Sequence, residues 1–324
     1  MRVLASPASC KGVLSAVEAA MALAAGMRNA GVDAEELPVA DGGEGTSEVF
    51  CAAFGGEWRV AAASDPLGRP VRARYLVLAD GSVVVEASEA VGLRLLTEEE
   101  RDPMAASSRG LGELLLAAAA EASGPILIGL GDTATVDGGA GLLEVAGDRL
   151  AGRQLEALCD VRNPLLGERG AARAFGPQKG ASREQVEALE RRLAADQRLR
   201  PYAELPGAGA AGGLGAAIAA LGGRLSSGAG VVLERIGFQG LIAGADLVVT
   251  GEGTVDRSSF EGKAVGEVVE RCEESGVRCA VFGGRVVDTP SGVEVHELSG
   301  DPGRAAEDLV DLGERLARAE LGVA

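Results

Sequence analysis

The sequence predicts an α/β protein of two domains, on the evidence of its length, its apolar content and a change of strand pattern along the chain. At 324 residues it exceeds the usual size of a single core, and 47% hydrophobic residues are ample for two. Both ends alternate strand-like and helix-like segments, as a parallel sheet with crossover helices requires. Between them lie consecutive extended runs broken by turns, which is the pattern of an antiparallel meander. One discontinuous α/β domain, 1–54 with 240–324, is therefore expected to hold an inserted α/β domain, 55–239.

Each element has a local reason. Val3 to Ser6 reads as a strand, and Val13, Leu14, Val17, Met21 and Ala24 share one face of the helix that follows. A strand near Glu36 to Val39 precedes ADGGEGT and a short helix around Ser47 to Phe54. The meander is Trp58 to Ala62, Val71 to Leu78 and Ser82 to Glu86, with turns at DPLGRP and ADG. A helix over Leu111 to Ala122, a strand Ile126 to Ile128, a strand near Leu158 to Val161 and a charged helix Arg183 to Arg198 follow. The last third returns to buried-type strands, Leu247 to Thr250 and Cys279 to Phe282, then an alternating strand Val293 to His296. In an open parallel sheet, ligands bind beyond the strand carboxyl ends, which is where SPASCKG, ADGGEG and TGEG are expected.

Charge and composition remove several function classes. A net charge of -17 repels a phosphate backbone, and 3% aromatics supply few stacking platforms, so neither nucleic acid nor an anionic membrane is an expected partner. The opening MRVLASPAS has the features of neither a signal peptide nor an anchor, and a cytoplasmic protein is expected. Five cysteines without CxxC spacing fit reduced thiols better than a disulfide frame or a zinc site. The single histidine, His296, reads as a half-exposed strand residue, which leaves any acid–base or metal work to carboxylates.

Only three of the 31 basic residues are lysine, and Lys11, Lys179 and Lys263 each adjoin a glycine. In a chain so biased to arginine, a compact ammonium beside a residue without Cβ suits close approach to a phosphate. No Walker A pattern occurs. Gly207, Gly209 and Gly212 satisfy G-x-G-x-x-G, but Pro206 and a helix precede them where a strand should. A loop leading into a helix over Gly212 to Leu221 is the better reading, either as an anion nest or as glycine used for packing. The loop GLGDTATVDGGAG is richer, gathering Thr133, Thr135, Asp137, Gly138 and Gly139.

Seven ordered segments, among them SPASCKGVLSAVEAA, LPVADGGEGTSEV, GLGDTATVDGGAGLL, AFGPQKGA, LPGAGAAGGLGAAI and VVTGEGTVDRSSFEGKAVGEV, resemble the type I glycerate kinases over nearly the whole chain. The resemblance implies a flavodoxin-like parallel α/β domain and an inserted mixed-sheet α/β domain resembling restriction enzymes, with the active site in the cleft between them. It also implies ATP- and Mg²⁺-dependent phosphorylation of D-glycerate, usually to 2-phosphoglycerate. Kinase action on another small hydroxy acid, 3-phosphorylation, ligand binding without efficient turnover, and a homodimer all stay open.

Phosphoryl transfer needs cations on the phosphates, a bridging ion and a carboxylate near the acceptor hydroxyl. Lys11 and Lys263 are expected on phosphate oxygens or the acid's carboxylate. Asp137 is the preferred general base, with a helix cap as its structural alternative. Asp41, Glu44, Asp160, Glu252 and Asp256 are candidate Mg²⁺ ligands, not all of them at once. Ser9, Gly42, Gly43, Thr133, Thr135, Gly138, Gly139, Lys179, Gly209, Gly212 and Gly213 are expected to bind substrate or nucleotide, Lys179 with a helix cap or an exposed position as alternatives.

Four departures from the family pattern stand out. Ala8 replaces an Asp, Asp132 enters where relatives carry Gly, Thr254 stands for Arg, and only ten residues separate Ala146 from Ala157. Ala8 leaves room for water beside Lys11 but offers neither a ligand nor a proton acceptor. Ala8→Asp is therefore expected to raise kcat/KM on D-glycerate with Mg-ATP in a steady-state comparison with wild type; an unchanged or lower value in a folded variant refutes this.

Overall fold

The computed structural model describes residues 1–322. β1 (Arg2–Ala5), α1 (Ala16–Asn29), β2 (Asp33–Glu36) and α2 (Thr46–Phe54) open the chain. The antiparallel run follows as β3 (Glu57–Ser64), β4 (Pro70–Val77) and β5 (Val83–Glu86), then α3 (Ser88–Val91) and α4 (Arg109–Glu121). β6 (Ile126–Gly129), α5 (Ala140–Ala146), β7 (Leu155–Leu158), α6 (Ala171–Phe175), α7 (Arg183–Ala195), α8 (Ala210–Ala220) and β8 (Arg224–Ser226) complete the middle. The last third holds α9 (Gly228–Arg235), α10 (Phe238–Ile242), β9 (Leu247–Val255), α11 (Ala264–Ser275), β10 (Arg278–Val286), β11 (Glu294–Glu297) and α12 (Ala305–Leu321).

Two compact units result, one of residues Met1–Asp41, Glu48–Ala53 and the chain from Ala229 on, the other of Gly42–Ser47 and Phe54–Gly228. The second boundary lies at 228/229 rather than the expected 239/240, because Ala229, Leu233, Phe238 and Ile242 of α9 and α10 pack on Leu4 and Val248 of the first unit's sheet. The loop after Asp41 belongs to the second unit, where Gly131 N donates to Gly42 O at 3.2 Å.

The first unit is a five-stranded, wholly parallel sheet in the order β11-β10-β9-β1-β2. Leu23 and Met27 of α1 and Leu309, Leu312 and Leu316 of α12 bury against one face, on Val3, Val249 and Phe282. Leu4 and Val248 point to the other face, toward α9 to α11. The second unit is a six-stranded mixed sheet, β3-β4-β5-β6-β7-β8, antiparallel through β5 and parallel from there. Its core gathers Val83, Val85, Leu111, Leu115, Ile126 and Ile128. Hydroxyl-capped helices confirm the local logic: Ser15 accepts from Glu18 N and Ser182 from Gln185 N, each in a capping box. Among the described residues no helix is long and apolar enough to cross a membrane.

Where the elements differ from expectation, polarity explains it. β2 is the sequence DAEE at a sheet edge, with only Ala34 buried, so apolar pattern drew the expected strand three residues too late. β7 is LEAL, ending where the strand was expected to start, at Leu158. α8 contains a left-handed break at Ala211, Gly212 and Gly213.

α1 and α12 approach through glycines: a Cβ on Gly26 would lie 1.9 Å from Val310 O, and one on Gly313 2.3 Å from Leu23 O. Helix propensity alone favours Gly26→Ala by about 1 kcal/mol. The clash is with backbone, which cannot rotate away, and overpacking of this kind costs about 1–3 kcal/mol. Gly26→Ala is therefore expected to destabilise the protein in chemical denaturation, against its propensity.

Candidate functional site

The first unit's strand order places β2 on one side of β1 and β9 on the other, so the winding direction reverses between β1 and β9. Crevices of this kind, outside the strand carboxyl ends, bind ligands in open α/β sheets. Here the crevice is a cavity of about 840 Å³, lined among others by Ser9, Lys11, Glu252, Asp256 and Lys263. Five of the expected site residues thus come together, from the loop after β1, the end of β9 and the start of α11. The segment TGEG is strand, not loop: β9 runs on to Val255, paired with β10 up to Val286. That extension passes Cys10 at ordinary contact distance from Gly253.

Acidic side chains outnumber basic ones in the cavity, with Lys11, Lys263 and Arg285 against Glu252, Asp256, Glu297, Asp301 and Asp308, and not all are satisfied. Glu252 Oε1 is buried without a hydrogen-bond partner. Burial raises the Glu252 carboxyl above the ordinary range, with Asp41 and Asp256 adding to the effect while Ser259 and Lys263 oppose it. Asp256 moves the other way, held low by Ser258, whose backbone N–H donates to Oδ1 at 2.7 Å, and by Lys263. Lys263 Nζ donates to Ser258 Oγ at 2.9 Å. Lys263 also stands at the head of α11, where no side chain caps the helix's free N–H groups. Cys10 is inert, its thiol pushed up to about 11 by burial and by Glu252. All five cysteines are free.

These donors suit a hard cation. A buried carboxylate oxygen without a partner beside further carboxylates and no imidazole is the donor chemistry of Mg²⁺. Among the described residues no group of three or more Asp, Glu, Cys or His side chains is arranged to hold a metal. Mg²⁺ typically takes only one or two carboxylates, with waters and substrate phosphates completing its shell. Glu44, in the second unit, is exposed and 3.8 Å from Arg94 Nε. Asp160 Oδ1 accepts from Gly228 N at 2.8 Å and Ser227 Oγ at 3.0 Å, which caps α9.

The second unit explains its glycines by contact. A Cβ on Gly42 would lie 2.6 Å from Leu158 O, and one on Gly131 2.5 Å from Gly43 Cα. The loop after Gly42 is clamped by a residue that was not among the candidate site residues. Glu86, buried at the end of β5, accepts from Ser47 N at 2.7 Å and Gly45 N at 3.1 Å. Its only signal was a carboxylate ending an otherwise apolar strand, VVVE.

Gly138 and Gly139 are left-handed at the start of α5, and Cβ atoms there would meet Leu193, Leu199 and Ala217. Gly138 N donates to Gly212 O at 3.0 Å, while a Cβ on Gly212 would lie 2.0 Å from Thr135 O and one on Gly213 2.8 Å from Gly138 Cα. Gly209 faces Pro164 O at 2.2 Å in the same sense. The two glycine-dense segments are therefore packed on each other, backbone to backbone. Asp137 is buried in the same knot: Oδ2 accepts from Ser108 N and Oγ and from Gly141 N, and Oδ1 accepts from Gly139 N. Four donors hold this carboxylate, the arrangement of a helix cap rather than of a base awaiting a proton.

Lys179 is neither exposed nor at a helix end facing water. It is 3% exposed, and Nζ donates to Thr135 O at 2.9 Å and Thr133 Oγ1 at 3.1 Å. Burial lowers its pKa to about 7, with Asp137 and Asp132 partly opposing. Its contacts tie the 133–135 segment in place.

The family model described as Glycerate kinase family matches residues 3–154 and 145–300. Its two stretches overlap where the segment between Ala146 and Ala157 is short. Glycerate 2-kinase of Escherichia coli (strain K12) is 40% identical over 309 residues, covering 81% of this chain and 80% of that one. Glycerate kinase of Bacillus subtilis (strain 168) is 37% identical over 303 residues, 81% of this chain and 79% of that one. A crystal structure from Salmonella typhimurium LT2, of a protein described as a candidate glycerate kinase 2, superposes with a TM-score of 0.85 at 31% identity, covering 99% and 98% of the two chains.

The buried lysine makes stability depend on pH. Between about 7 and the ordinary lysine value of 10.5, the unfolded chain binds a proton that the folded chain does not. Stability should therefore rise with pH, by up to about 1.4 kcal/mol per pH unit. Above about pH 8.5 the raised thiols of Cys10 and Cys159 act oppositely, since they ionise first in the unfolded chain. Urea denaturation between about pH 7 and 8.5 should show the rise in wild type and a flatter profile in Lys179→Met.

Proposed function

The chain belongs to the glycerate kinase family, and on that premise we propose that it transfers the γ-phosphoryl group of ATP to the 2-hydroxyl of D-glycerate with Mg²⁺. The observation that carries this reading is the convergence of Lys11, Lys263, Glu252 and Asp256 in one cavity at the β1/β9 reversal. The position of transfer is supported by the name of the Escherichia coli relative, glycerate 2-kinase, at 40% identity.

Phosphoryl transfer passes through a loose transition state, so catalysis is mostly positioning and charge stabilisation. Lys11 and Lys263 place two ammonium groups on phosphate oxygens, and the uncapped N–H groups at the head of α11 add donors beside Lys263. Glu252 and Asp256, with Asp41, would hold Mg²⁺, which would supply charge neutralisation to the nucleotide's phosphates. A cation held there would favour the ionised form of the Glu252 carboxyl, which burial disfavours. Asp137 and Lys179 are assigned to holding the 131–139 loop, together with Thr133, Thr135 and the glycines packed on it, and not to proton abstraction.

Lys11→Met and Lys263→Met should each lower kcat/KM at least about tenfold, about 1.4 kcal/mol of transition-state stabilisation, with far-UV circular dichroism unchanged. Excess EDTA should abolish turnover, and ³¹P NMR of the product should show 2-phosphoglycerate. Wild-type kinetics in both lysine variants would remove this cavity from the mechanism, and 3-phosphoglycerate would move the transfer to the other hydroxyl.

A further inference from the structure

The cavity extends well past its charged end. From Lys11 and Lys263 its lining continues by Arg285, at the end of β10, to the loop after β11 and the first turns of α12. Its volume of about 840 Å³ falls within the range of about 300–1,000 Å³ usual for larger organic ligands. A three-carbon acid would leave most of it empty.

The far end has a different chemistry. Leu298, Pro302 and Leu309 line it with apolar side chains, the surface a flat ring needs. Its wall is held before any ligand arrives. Leu298 N donates to Gly283 O at 2.9 Å, Ser299 N donates to Asp308 Oδ2 at 3.0 Å, and Asp301 Oδ1 accepts from Gly303 N at 2.9 Å. Preorganised walls reduce the entropy lost on binding. The lining cations, Lys11, Lys263 and Arg285, all stand away from this end, whose own lining charges are the carboxylates Asp301 and Asp308, the latter 3.6 Å from Arg304. A polyphosphate is therefore directed one way along the cavity and an uncharged ring the other.

We propose that the end bounded by Leu298, Pro302, Ala305 and Leu309 is the subsite for the purine ring of the phosphoryl donor, a proposal that rests on the use of ATP advanced above. The triphosphate then runs along the ends of β10 and β9 toward the head of α11.

The test is calorimetric titration of wild type, Ala305→Trp and Leu298→Trp with Mg-ATP and with Mg-tripolyphosphate, which keeps the phosphates and lacks the ring. Wild type should bind Mg-ATP at least about tenfold more tightly than Mg-tripolyphosphate. Either tryptophan should weaken Mg-ATP at least about tenfold while Mg-tripolyphosphate binding and the KM for D-glycerate hold. Equal wild-type affinity for the two probes overturns the subsite without need of a variant, as do folded tryptophan variants that bind Mg-ATP like wild type. Wild type that binds neither probe overturns the ATP assignment itself, and the subsite with it.

Discussion

Backbone lies against backbone at several points of this chain, and the second unit's loops depend on it. Gly131 meets Gly43, Gly212 meets the Thr135 carbonyl, and Gly213 meets Gly138, each at a separation that an added Cβ would close to 2.8 Å or less. Contacts this close bring peptide groups within reach of each other, which is how Gly131 N finds Gly42 O and Gly138 N finds Gly212 O. The side chains then complete what the glycines begin. Asp137 gathers the N–H groups of Gly139 and Gly141, and Lys179 gathers Thr133 and the Thr135 carbonyl. Remove the close approach and neither buried charge has its partners, at a cost of several kcal/mol per uncompensated ion.

The first unit solves a different problem. Its cavity needs opposite charges near one another without mutual cancellation, and it achieves this by unequal burial. Asp256 is near solvent and ionises readily, whereas Glu252 is half-buried with an unpartnered oxygen. Lys263 bonds a neutral hydroxyl, Ser258 Oγ, and keeps N–H groups for a ligand. The result is a cavity with an unpartnered carboxyl oxygen beside a helix start that its N-cap side chain leaves uncapped.

Periodicity and turn residues carried most of the architecture, because buried strands such as Leu247–Val255 and amphipathic helices such as Arg183–Ala195 have strong local patterns. The edge strand β2 escaped because DAEE has no apolar alternation, and the α8 break escaped because three left-handed residues in a row leave no pattern beyond glycine content. Lys11 and Lys263 line the cavity, while Lys179, which also adjoins a glycine, lies buried. Nothing local distinguishes them, since burial depends on segments 44 and 46 residues away, at Thr135 and Thr133. Glu86 was invisible for the same reason, as its partners lie about 40 residues earlier at Gly45 and Ser47.

That clamp has a consequence for ligand traffic. The start of α2 follows a glycine-rich turn and has the usual attraction of a helix head for phosphate, yet Glu86 already occupies it with a carboxylate facing Gly45 N and Ser47 N. A phosphate drifting toward that turn would find the Gly45 and Ser47 N–H groups already taken by the Glu86 carboxyl. The head of α11 has no such occupant. One of these two helix heads is thus filled by the protein's own carboxyl group, and the other is left open by its N-cap residue.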